Sequence, residues 1–292
     1  MKVLVMGATG QLGRALHRVL RRQFHVKQMS RKECDLADSR ALLETLRRVK
    51  PDLIVNAAAY TAVDAAESER TIAFDVNAAA PKLMAEYSAR FGIPYIHYST
   101  DYVFDGSGKR AWREDDEPKP INVYGESKLT GDRAVINSGA TSIIIRTSWL
   151  YDSMGRNFLN SVLRQARERT ELRVVDDQFG APTTASYLAQ TTIKILHFRM
   201  GYYGKTWTGC EIVNVTASGC VSWHGFAEAI IAEARGAGHA LKIRRVIPMP
   251  TRKLSVPARR PLNSRLSLER LSAEFGISPP NWRELLGKII IG

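Results

Sequence analysis

Long apolar runs and cysteines are both scarce in this chain of 292 residues. No apolar run approaches the ~20 residues that a membrane-spanning helix needs, which predicts no membrane partner. The three cysteines, Cys34, Cys210 and Cys220, lack the spacing of a metal site, so we expect buried free thiols, as in a reducing compartment. The strand-like run Met1–Met6 leaves no room for the three regions of a signal peptide. A cytoplasmic location is therefore expected.

The chain is also short of acidic residues, and its net charge is +13 at pH 7. Much of this excess lies late, because the segment from Arg235 to Arg270 holds ten basic residues and one acidic residue, Glu269. Strong positive charge can indicate nucleic-acid binding, but no zinc-finger spacing, RNP-type aromatic run or basic zipper helix accompanies it. A basic wall beside a phosphorylated small molecule explains the charge equally well. We predict no nucleic-acid partner and keep binding through residues 235–270 as an alternative.

The order of the apolar patterns is typical of a parallel α/β sheet. In the first half of the chain, short strands alternate with amphipathic helices. Strands are predicted at 3–6, 26–29, 53–56, 95–98 and 143–145, and helices at 12–20, 39–49, 70–91 and 124–137. After residue 150 the predicted elements are helices at 155–169, 184–197 and 222–236 and strands at 172–175 and 212–215. Four prolines between 248 and 261 exclude a long helix there, which suits a looped substrate lobe.

A glycine-rich loop directly follows the first strand and opens the first helix. It has the spacing Gly-x-x-Gly-x-x-Gly from Gly7 to Gly13. Glycines let the backbone approach a phosphate closely, and the free N–H groups of a helix N-terminus attract the pyrophosphate of a dinucleotide. A structural turn is the alternative. We predict that residues 1–150 form an NAD(P)-binding Rossmann core with a doubly wound parallel sheet, and that residues 151–292 contribute to it and form a smaller C-terminal substrate-binding lobe.

The end of the second predicted strand indicates which dinucleotide is bound. NAD-selective folds place an acid there for the ribose hydroxyls, whereas this chain has Ser30 and Arg31, which suit a 2′-phosphate. We therefore expect NADPH, with NADH left open as a second cofactor. Two interpretations compete with cofactor contact at other positions. Asp35 would cap a helix, and the alanines after the third strand would be packing residues. The expected cofactor contacts are Gly7, Thr9, Gly10, Gln11, Leu12, Gly13, Ser30, Arg31, Asp35, Leu36, Ala58, Ala59, Tyr60, Tyr98, Tyr124 and Lys128.

Tyr124 and Lys128 lie four residues apart in a predicted helix and therefore share one face. A tyrosine with its ordinary pKa of ~10 is a poor proton donor at neutral pH. A neighbouring ammonium favours the phenolate and lowers that pKa. Taken alone, such a pair is usually a solvated surface pair. Its position after a dinucleotide-binding loop indicates proton delivery to a carbonyl oxygen instead.

Four segments in this order resemble the extended short-chain dehydrogenase/reductases: the glycine loop, Asn56–Tyr60, Ser99–Gly106 and Tyr124–Lys128. More narrowly, the chain is similar to the dTDP-4-dehydrorhamnose reductases of that family. The narrower similarity rests on Ala62–Glu67, Ser99–Gly106, Arg146–Tyr151, Asp177–Thr183, Trp223–His224 and Arg260–Arg265. It implies NADPH-dependent reduction of the 4-keto group of dTDP-4-dehydro-L-rhamnose to dTDP-L-rhamnose, so the expected substrate is a nucleotide sugar.

By this resemblance, the catalytic threonine, tyrosine and lysine of the family fall on Thr100, Tyr124 and Lys128. The resemblance implies that Tyr124 protonates the reacting oxygen and that Thr100 hydrogen-bonds it. It also implies that Lys128 lowers the pKa of the tyrosine and holds the nicotinamide ribose. Thr100, Asp101 and Trp149 would contact the deoxysugar, with the indole as an aromatic wall against a sugar face.

The resemblance further implies that Arg260, Asn263 and Arg265 lie near the nucleotide diphosphate, with solvated surface arginines as the alternative. Some relatives dimerise through a magnesium site that uses a glutamate early in the first helix. The corresponding residue here is Ala15, so we predict no metal. A homodimer is left open and would need other contacts.

Two further functions compete with this reductase. One is the reduction of a stereoisomeric nucleotide-linked 4-keto-6-deoxyhexose, which would use the same three catalytic residues. The other is a non-catalytic NADP-binding regulatory subunit, since the beta subunit of methionine adenosyltransferase shares this fold and much of the pattern. The intact set of Thr100, Tyr124 and Lys128 argues against the regulatory subunit.

Overall fold

A six-stranded parallel sheet runs through the centre of the protein. The computed structural model describes residues 1–202 and 207–291. Its strands are β1 (Lys2–Met6), β2 (His25–Met29), β3 (Leu53–Asn56), β4 (Tyr95–Thr100), β5 (Ser142–Thr147), β6 (Leu150–Tyr151), β7 (Glu171–Val175), β8 (Phe179–Gly180), β9 (Thr183–Thr184), β10 (Cys210–Asn214), β11 (Val221–Ser222) and β12 (Arg245–Met249). The central sheet has the order β2-β1-β3-β4-β5-β10, and each neighbouring pair is parallel.

Helices cover both faces of this sheet. They are α1 (Gln11–Leu20), α2 (Ser39–Val49), α3 (Val63–Ala66), α4 (Arg70–Phe74), α5 (Ala80–Phe91), α6 (Val123–Asn137), α7 (Phe158–Glu168), α8 (Ala185–His197), α9 (Trp223–Gly236), α10 (Glu269–Phe275) and α11 (Trp282–Ile291). Short 3-10 turns lie at Asp101–Val103 and Thr251–Lys253, and π turns at Asp75–Ala79 and Phe198–Tyr202. Across the described residues, no helix combines the length and apolarity needed to cross a membrane.

The strand order confirms the predicted doubly wound parallel sheet. After β1 the chain adds β2 on one side, and it then crosses to add β3 on the other side. The carboxyl ends of the strands diverge at such a reversal, and the crevice between them is where ligands of open α/β sheets bind. The topology therefore places the loop after β1 at the mouth of a ligand site.

Side chains of the central strands alternate between two layers of the core, as the two-residue period of a strand requires. Val3 and Val5 of β1 pack in a layer that includes Leu16 of α1. Leu4 and Met6 pack in the opposite layer, which contains apolar residues of α2 and α5. Because both faces are covered, the strands read as continuous apolar runs in the sequence.

Residues beyond 150 complete the core before they form the second lobe. β10 extends the central sheet beside β5, and α8 packs against α1. The lobe itself contains small two-stranded sheets, in which β7 pairs with β12 and β8 pairs with β11. This arrangement agrees with the prediction that the second half of the chain contributes to the core and also forms a lobe. The domain boundary at residue 150 stays a prediction.

The predicted helix at 70–91 is confirmed, and it contains a π turn at Asp75–Ala79. Pro81 explains the π turn, because a proline has no N–H to donate to the carbonyl of residue 77. The turn directs the Asn77 side chain inward. Its amide accepts the N–H of Tyr60 at 2.8 Å and donates to the Ser127 hydroxyl at 3.0 Å. The π turn therefore ties α6 to the loop after β3.

Two expectations are corrected by the structure. The helix predicted from 155 begins at Phe158, because the Asn157 side chain caps it by accepting the N–H of Asn160 at 2.9 Å. All three cysteines are free, but only Cys34 is buried, while Cys210 is half-buried and Cys220 is exposed. The expectation of three buried thiols was therefore wrong for the last two.

The position of α6, which carries Tyr124 and Lys128, depends on a close approach at Gly131. A Cβ on Gly131 would overlap the carbonyl oxygen of Asn77. Only glycine allows the helix to lie this close to the π turn. Asn122 fixes the start of the helix, since its side chain accepts the N–H of Gly125 at 2.8 Å.

Replacement of Gly131 by alanine should therefore destabilise the fold. We expect Gly131→Ala to lower the free energy of unfolding by about 1–3 kcal/mol, because the helix must move away from Asn77. Chemical denaturation followed by circular dichroism measures this change. Gly236→Ala, at the end of α9, is the control, because nothing lies within 4 Å of its Cβ position. Equal stabilities of the two variants would contradict the close-approach argument.

Candidate active site

A cavity of about 720 Å³ opens at the carboxyl ends of the central strands. Its walls come from the loops after β1, β2, β3, β4 and β5 and from one face of α6. Of the predicted cofactor residues, those that line it are Gly7, Thr9, Gly10, Gln11, Leu12, Ser30, Arg31, Asp35, Leu36, Ala58, Ala59, Tyr60, Tyr98, Tyr124 and Lys128. Thr100, Asp101 and Trp149 line it too. The fold thus brings residues from distant parts of the sequence to one site.

The glycine loop has the geometry of a phosphate cradle. The N–H groups of Gly7 and Ala8 both donate to the Met29 carbonyl oxygen, at 2.9 and 3.0 Å, which joins the loop to β2. The N-terminus of α1 has no side-chain cap and no acidic residue in its first turn. Its amide groups are therefore available to an anion at the cavity. Gly13 does not line the cavity, but a Cβ there would overlap the Gly7 carbonyl oxygen, so this glycine closes the turn.

The end of β2 places Ser30 and Arg31 beside two acidic residues. The Ser30 backbone N–H and hydroxyl both donate to Glu33 at 2.8 Å, and these bonds hold the pKa of that carboxyl below its ordinary value. Arg31 Nε donates to Asp35 Oδ2 at 3.3 Å in an exposed pair. An exposed pair of this kind contributes little to stability, so the guanidinium can exchange Asp35 for a phosphate at little cost.

The segment after β3 is held open by side-chain amides. Asn56 Oδ1 accepts the N–H of Ala58 at 3.2 Å, and Asn77 Oδ1 accepts the N–H of Tyr60 at 2.8 Å. These bonds turn the chain along the cavity wall, where Ala58 and Ala59 present only methyl groups. Small side chains at this point leave space for a nucleotide.

Thr100, Tyr124 and Lys128 meet at the inner end of the cavity. Thr100 ends β4, and Tyr124 lies in the first turn of α6. The Thr100 hydroxyl is within hydrogen-bonding reach of the Tyr124 phenol, and it contacts Asp101 Oδ1 at 3.2 Å. Lys128 lies one helical turn after Tyr124 and reaches the same wall. The three side chains predicted to act together therefore line one cavity.

Lys128 is buried, with 1% of its surface exposed. Its Nζ donates to the Tyr98 carbonyl oxygen at 2.6 Å and lies 3.2 Å from His97 Nε2. Burial lowers the pKa of Lys128 to about 8, and the Asp132 carboxylate opposes this shift. Two of the three ammonium N–H groups are thus directed at the core, which leaves one for the cavity.

A buried polar network that the sequence analysis missed lies behind Lys128. Asp132 Oδ2 accepts the Ser99 hydroxyl at 2.7 Å and lies 3.7 Å from Arg146 Nε, while Asp132 Oδ1 lies 3.7 Å from His97 Nε2. Burial lowers the pKa of His97 well below its ordinary value, so the ring is neutral. The spacing of four between Lys128 and Asp132 was the available signal, because it places both on one helical face.

The structure corrects the expected pKa of Tyr124. The sequence predicted that Lys128 would lower it, but the pKa of Tyr124 is raised, first because the phenol is buried and then because Asp101 and Asp132 are near. The Thr100 hydrogen bond acts in the opposite direction. Desolvation of the phenolate exceeds any effect of the ammonium, whose hydrogen bonds run to Tyr98 and His97.

Three buried oxygen atoms in the cavity wall have no hydrogen-bond partner among the described residues: Asp101 Oδ2, Thr147 Oγ1 and Ser148 Oγ. Burial raises the pKa of Asp101 to about 7. The sequence analysis did not select Thr147 or Ser148. Thr147 is the register partner of Thr100 across β4 and β5, a relation that only strand pairing reveals. The three residues line the cavity, but these oxygen atoms are themselves fully buried, and unpartnered buried oxygens of this kind are rare in folded proteins.

The residues predicted to contact the diphosphate do not line the cavity. Arg260 Nη2 donates to Asp64 Oδ2 at 2.8 Å. Asn263 Nδ2 donates to the Arg110 carbonyl oxygen at 2.7 Å, and Asn263 Oδ1 accepts Arg265 Nε at 2.8 Å. These side chains tie the late loop to other segments, and none of the three lines the cavity as it stands.

The part of the chain that the structure describes contains no cluster of side chains suited to bind a metal ion. No group of three or more His, Cys, Asp or Glu side chains there could hold an ion. Ala15, at the position of the metal-binding glutamate of some relatives, is buried in α1.

The fold and the cavity define an NAD(P)-binding Rossmann protein of the short-chain dehydrogenase/reductase type. The family model described as "RmlD substrate binding domain" matches residues 1–291, and the chain belongs to that family.

Named relatives cover almost the whole chain. A dTDP-4-dehydrorhamnose reductase of Burkholderia thailandensis is 44% identical over 98% of this chain and 97% of its own length. The protein of the same name from Escherichia coli K12 is 41% identical over 97% of this chain and 95% of its own length. A crystal structure of dTDP-4-dehydrorhamnose reductase from Bacillus anthracis in complex with NADP has 33% identity and a TM-score of 0.90, with 99% of this chain and 98% of that chain covered.

The lowered pKa of Lys128 predicts a pH-dependent effect on stability. The folded protein releases this proton at a pKa of about 8, whereas the unfolded chain holds it up to the ordinary value of 10.5. Between these values the unfolded state binds more protons, so stability rises with pH. The free energy of unfolding of the wild type, minus that of Lys128→Met, should therefore increase with pH across this window. Urea titrations at several pH values measure the difference.

The exposed Lys82 provides the matched control, since its side chain is 61% exposed and pairs only with Glu86 at 3.8 Å. The wild type and Lys82→Met should differ by an amount that is constant with pH. A constant difference for Lys128→Met as well would contradict the burial of a charged lysine.

Proposed function

We propose that this protein catalyses the NADPH-dependent reduction of the 4-keto group of dTDP-4-dehydro-L-rhamnose to dTDP-L-rhamnose. One observation carries the proposal: Thr100, Tyr124 and Lys128 meet beside the uncapped glycine loop, in a single cavity. The family and the names of the full-length relatives agree with this reaction. The proposed substrate is therefore a nucleotide sugar.

The proposed cofactor site extends from the glycine loop to Lys128. The free amide groups at the start of α1 bind the pyrophosphate, Ser30 and Arg31 bind the 2′-phosphate, and Lys128 uses its remaining N–H for the nicotinamide ribose. The Bacillus anthracis relative was solved in complex with NADP. NADPH supplies the hydride when it is bound. The other residues of this site are the cavity-lining ones named above, with NADH as a weaker alternative.

Tyr124 is the proposed proton donor. Burial raises the pKa of its phenol, so the proton is present at neutral pH and is given up only to a strong base. An alkoxide is a much stronger base than a phenolate, so proton transfer from the phenol to the reduced oxygen is favourable. Thr100 donates a hydrogen bond to that oxygen, and the charge of Lys128 stabilises the phenolate that remains.

The sugar is proposed to lie against Thr100, Asp101 and Trp149. Asp101 Oδ2 is buried and has no hydrogen-bond partner of good geometry among the described residues, and it would accept a sugar hydroxyl after a small rotation of the carboxyl group. Thr147 and Ser148 add two hydroxyl groups to the same wall. Arg260, Asn263 and Arg265 are proposed to approach the diphosphate only after their present contacts rearrange. We propose the boundary at residue 150 between the cofactor core and this lobe.

Tyr124→Phe removes the proton donor and keeps the ring. We expect kcat to fall by about 100-fold or more, the scale of general acid catalysis, while the Kd for NADPH is unchanged. The assay follows NADPH absorbance with dTDP-4-dehydrorhamnose generated in situ. Tyr187→Phe is the control, because it removes a phenol from the core on α8, outside the cavity. Near-normal turnover by Tyr124→Phe would refute the acid assignment, and a folded, NADPH-binding wild type without activity would refute the function.

Arg31→Ala tests the preference for the phosphorylated cofactor. The loss of one charge-assisted phosphate contact should raise the KM for NADPH about tenfold and change the KM for NADH by less than about twofold. Steady-state kinetics with both cofactors measure the two values. Arg40→Ala is the control, because Arg40 is an exposed arginine on α2 that pairs with Glu44 outside the cavity. Equal effects of Arg31→Ala on both cofactors would remove the basis for the NADPH preference.

A further inference from the structure

Trp149 and Trp223 form a stacked pair in the cavity wall. Their ring centroids lie 3.6 Å apart, and their planes differ by 10°. Both side chains line the cavity that contains Thr100 and Tyr124. The two residues come from different elements, since Trp149 follows β5 and Trp223 begins α9. One face of the Trp149 indole is therefore covered by another indole.

Gly180 covers the opposite face of Trp149. A Cβ built on Gly180 would lie 2.6 Å from Cε2, 2.9 Å from Nε1 and 3.0 Å from Cδ2 of that indole. Because Nε1 and Cδ2, two of the three atoms bonded to Cε2, are only slightly farther away than Cε2 itself, this position lies above the ring and not beyond its rim. A second ring cannot share that side, so Trp223 and Gly180 lie on opposite faces.

The backbone around Trp149 shows that this arrangement is imposed by the fold. Trp149 has a φ of +48°, in the left-handed region that bulky residues avoid at a cost of about 1–2 kcal/mol. The Trp149 carbonyl oxygen accepts the N–H of Thr183 at 3.1 Å, which holds the strained residue beside β9.

Trp223 is itself fixed by its surroundings. Phe158 lies 4.5 Å from its ring, centroid to centroid, and Ser222 caps α9 by accepting the N–H of Gly225 at 3.1 Å. β11 ends at Ser222 and pairs with β8, which contains Gly180. The two sides of the clamp are therefore connected through one small sheet.

We propose that Trp223 and Gly180 are positioning residues that clamp the Trp149 indole from both sides, so that Trp149 meets the sugar with its rim and not with its ring face. This inference rests on the proposed function for the identity of the ligand. It replaces the aromatic wall expected against a sugar face. The rim of an indole carries partial positive charge, so the groups it selects are oxygen atoms of the sugar and not its C–H bonds.

Fluorine NMR of fluorotryptophan-labelled protein tests the clamp without substrate or cofactor. The chain has five tryptophans, and Trp149→Phe identifies the Trp149 resonance by its disappearance. The ring current of a stacked indole shifts that resonance upfield.

We expect Trp223→Leu to remove the upfield shift of the Trp149 resonance and Trp223→Phe to keep part of it. We expect Gly180→Ala to move the resonance, because its methyl group displaces the indole. Trp207→Phe, outside the cavity, should leave it unchanged. A Trp149 resonance unaffected by Trp223→Leu would overturn the clamp.

Kinetics separate positioning from a structural role. Loss of one aromatic contact should raise the KM for the keto-sugar nucleotide about tenfold in Trp223→Leu, with kcat and the KM for NADPH within about twofold. Trp223→Phe should restore most of the sugar affinity. An equal loss in both variants, or an equal change in the KM for both substrates, would overturn the positioning role. If the wild type does not reduce the keto sugar, the proposed function fails, while the NMR result still decides the clamp.

Discussion

The burial of one ammonium group, that of Lys128, is the constraint on which the site depends. Moving an unpaired charge from water into a protein interior is costly, so the surrounding structure must provide partners. The Tyr98 carbonyl oxygen and the neutral His97 ring lie at hydrogen-bonding distance, and Asp132 supplies the compensating charge. These partners come from β4 and α6, so the strand and the helix must pack closely. The approach at Gly131 makes that packing possible.

Burial also determines the pKa values of the two side chains that carry protons in the site, Lys128 and Tyr124. Burial lowers the pKa of Lys128, and the nearby Asp132 carboxylate opposes this shift only in part, so the Lys128 proton is held weakly. Tyr124 is shifted in the opposite direction and keeps its proton. An ammonium that is near its pKa and a phenol that stays protonated are suited to a step in which the tyrosine gives up its proton briefly and then recovers it. Burial of the Lys128 charge lowers the stability of the fold, and it occurs at the site where the proposed proton transfer uses that charge.

Local rules predicted the parts of the site that lie within one segment. The glycine loop, the Tyr124–Lys128 spacing and the alternation of strands and helices follow from backbone geometry and apolar periodicity, and the predicted fold class is confirmed. Sequence reasoning missed His97 and Thr147 because their roles depend on which residues of distant strands become neighbours. It also gave the wrong direction for the pKa of Tyr124, because desolvation depends on packing that no local pattern shows. The Arg260–Arg265 segment came from resemblance alone, and its side chains make other contacts.

The central claim is that a hydride from the cofactor reaches C4 of the hexose while Tyr124 supplies the proton to the oxygen. The most direct measurement follows deuterium from NADPH labelled at the reactive carbon of the nicotinamide into the product formed from dTDP-4-dehydro-L-rhamnose. NMR and mass spectrometry of the isolated sugar nucleotide locate the label. We expect a single deuterium at C4 of dTDP-L-rhamnose. Deuterium at another carbon, or a product formed without label, would contradict it.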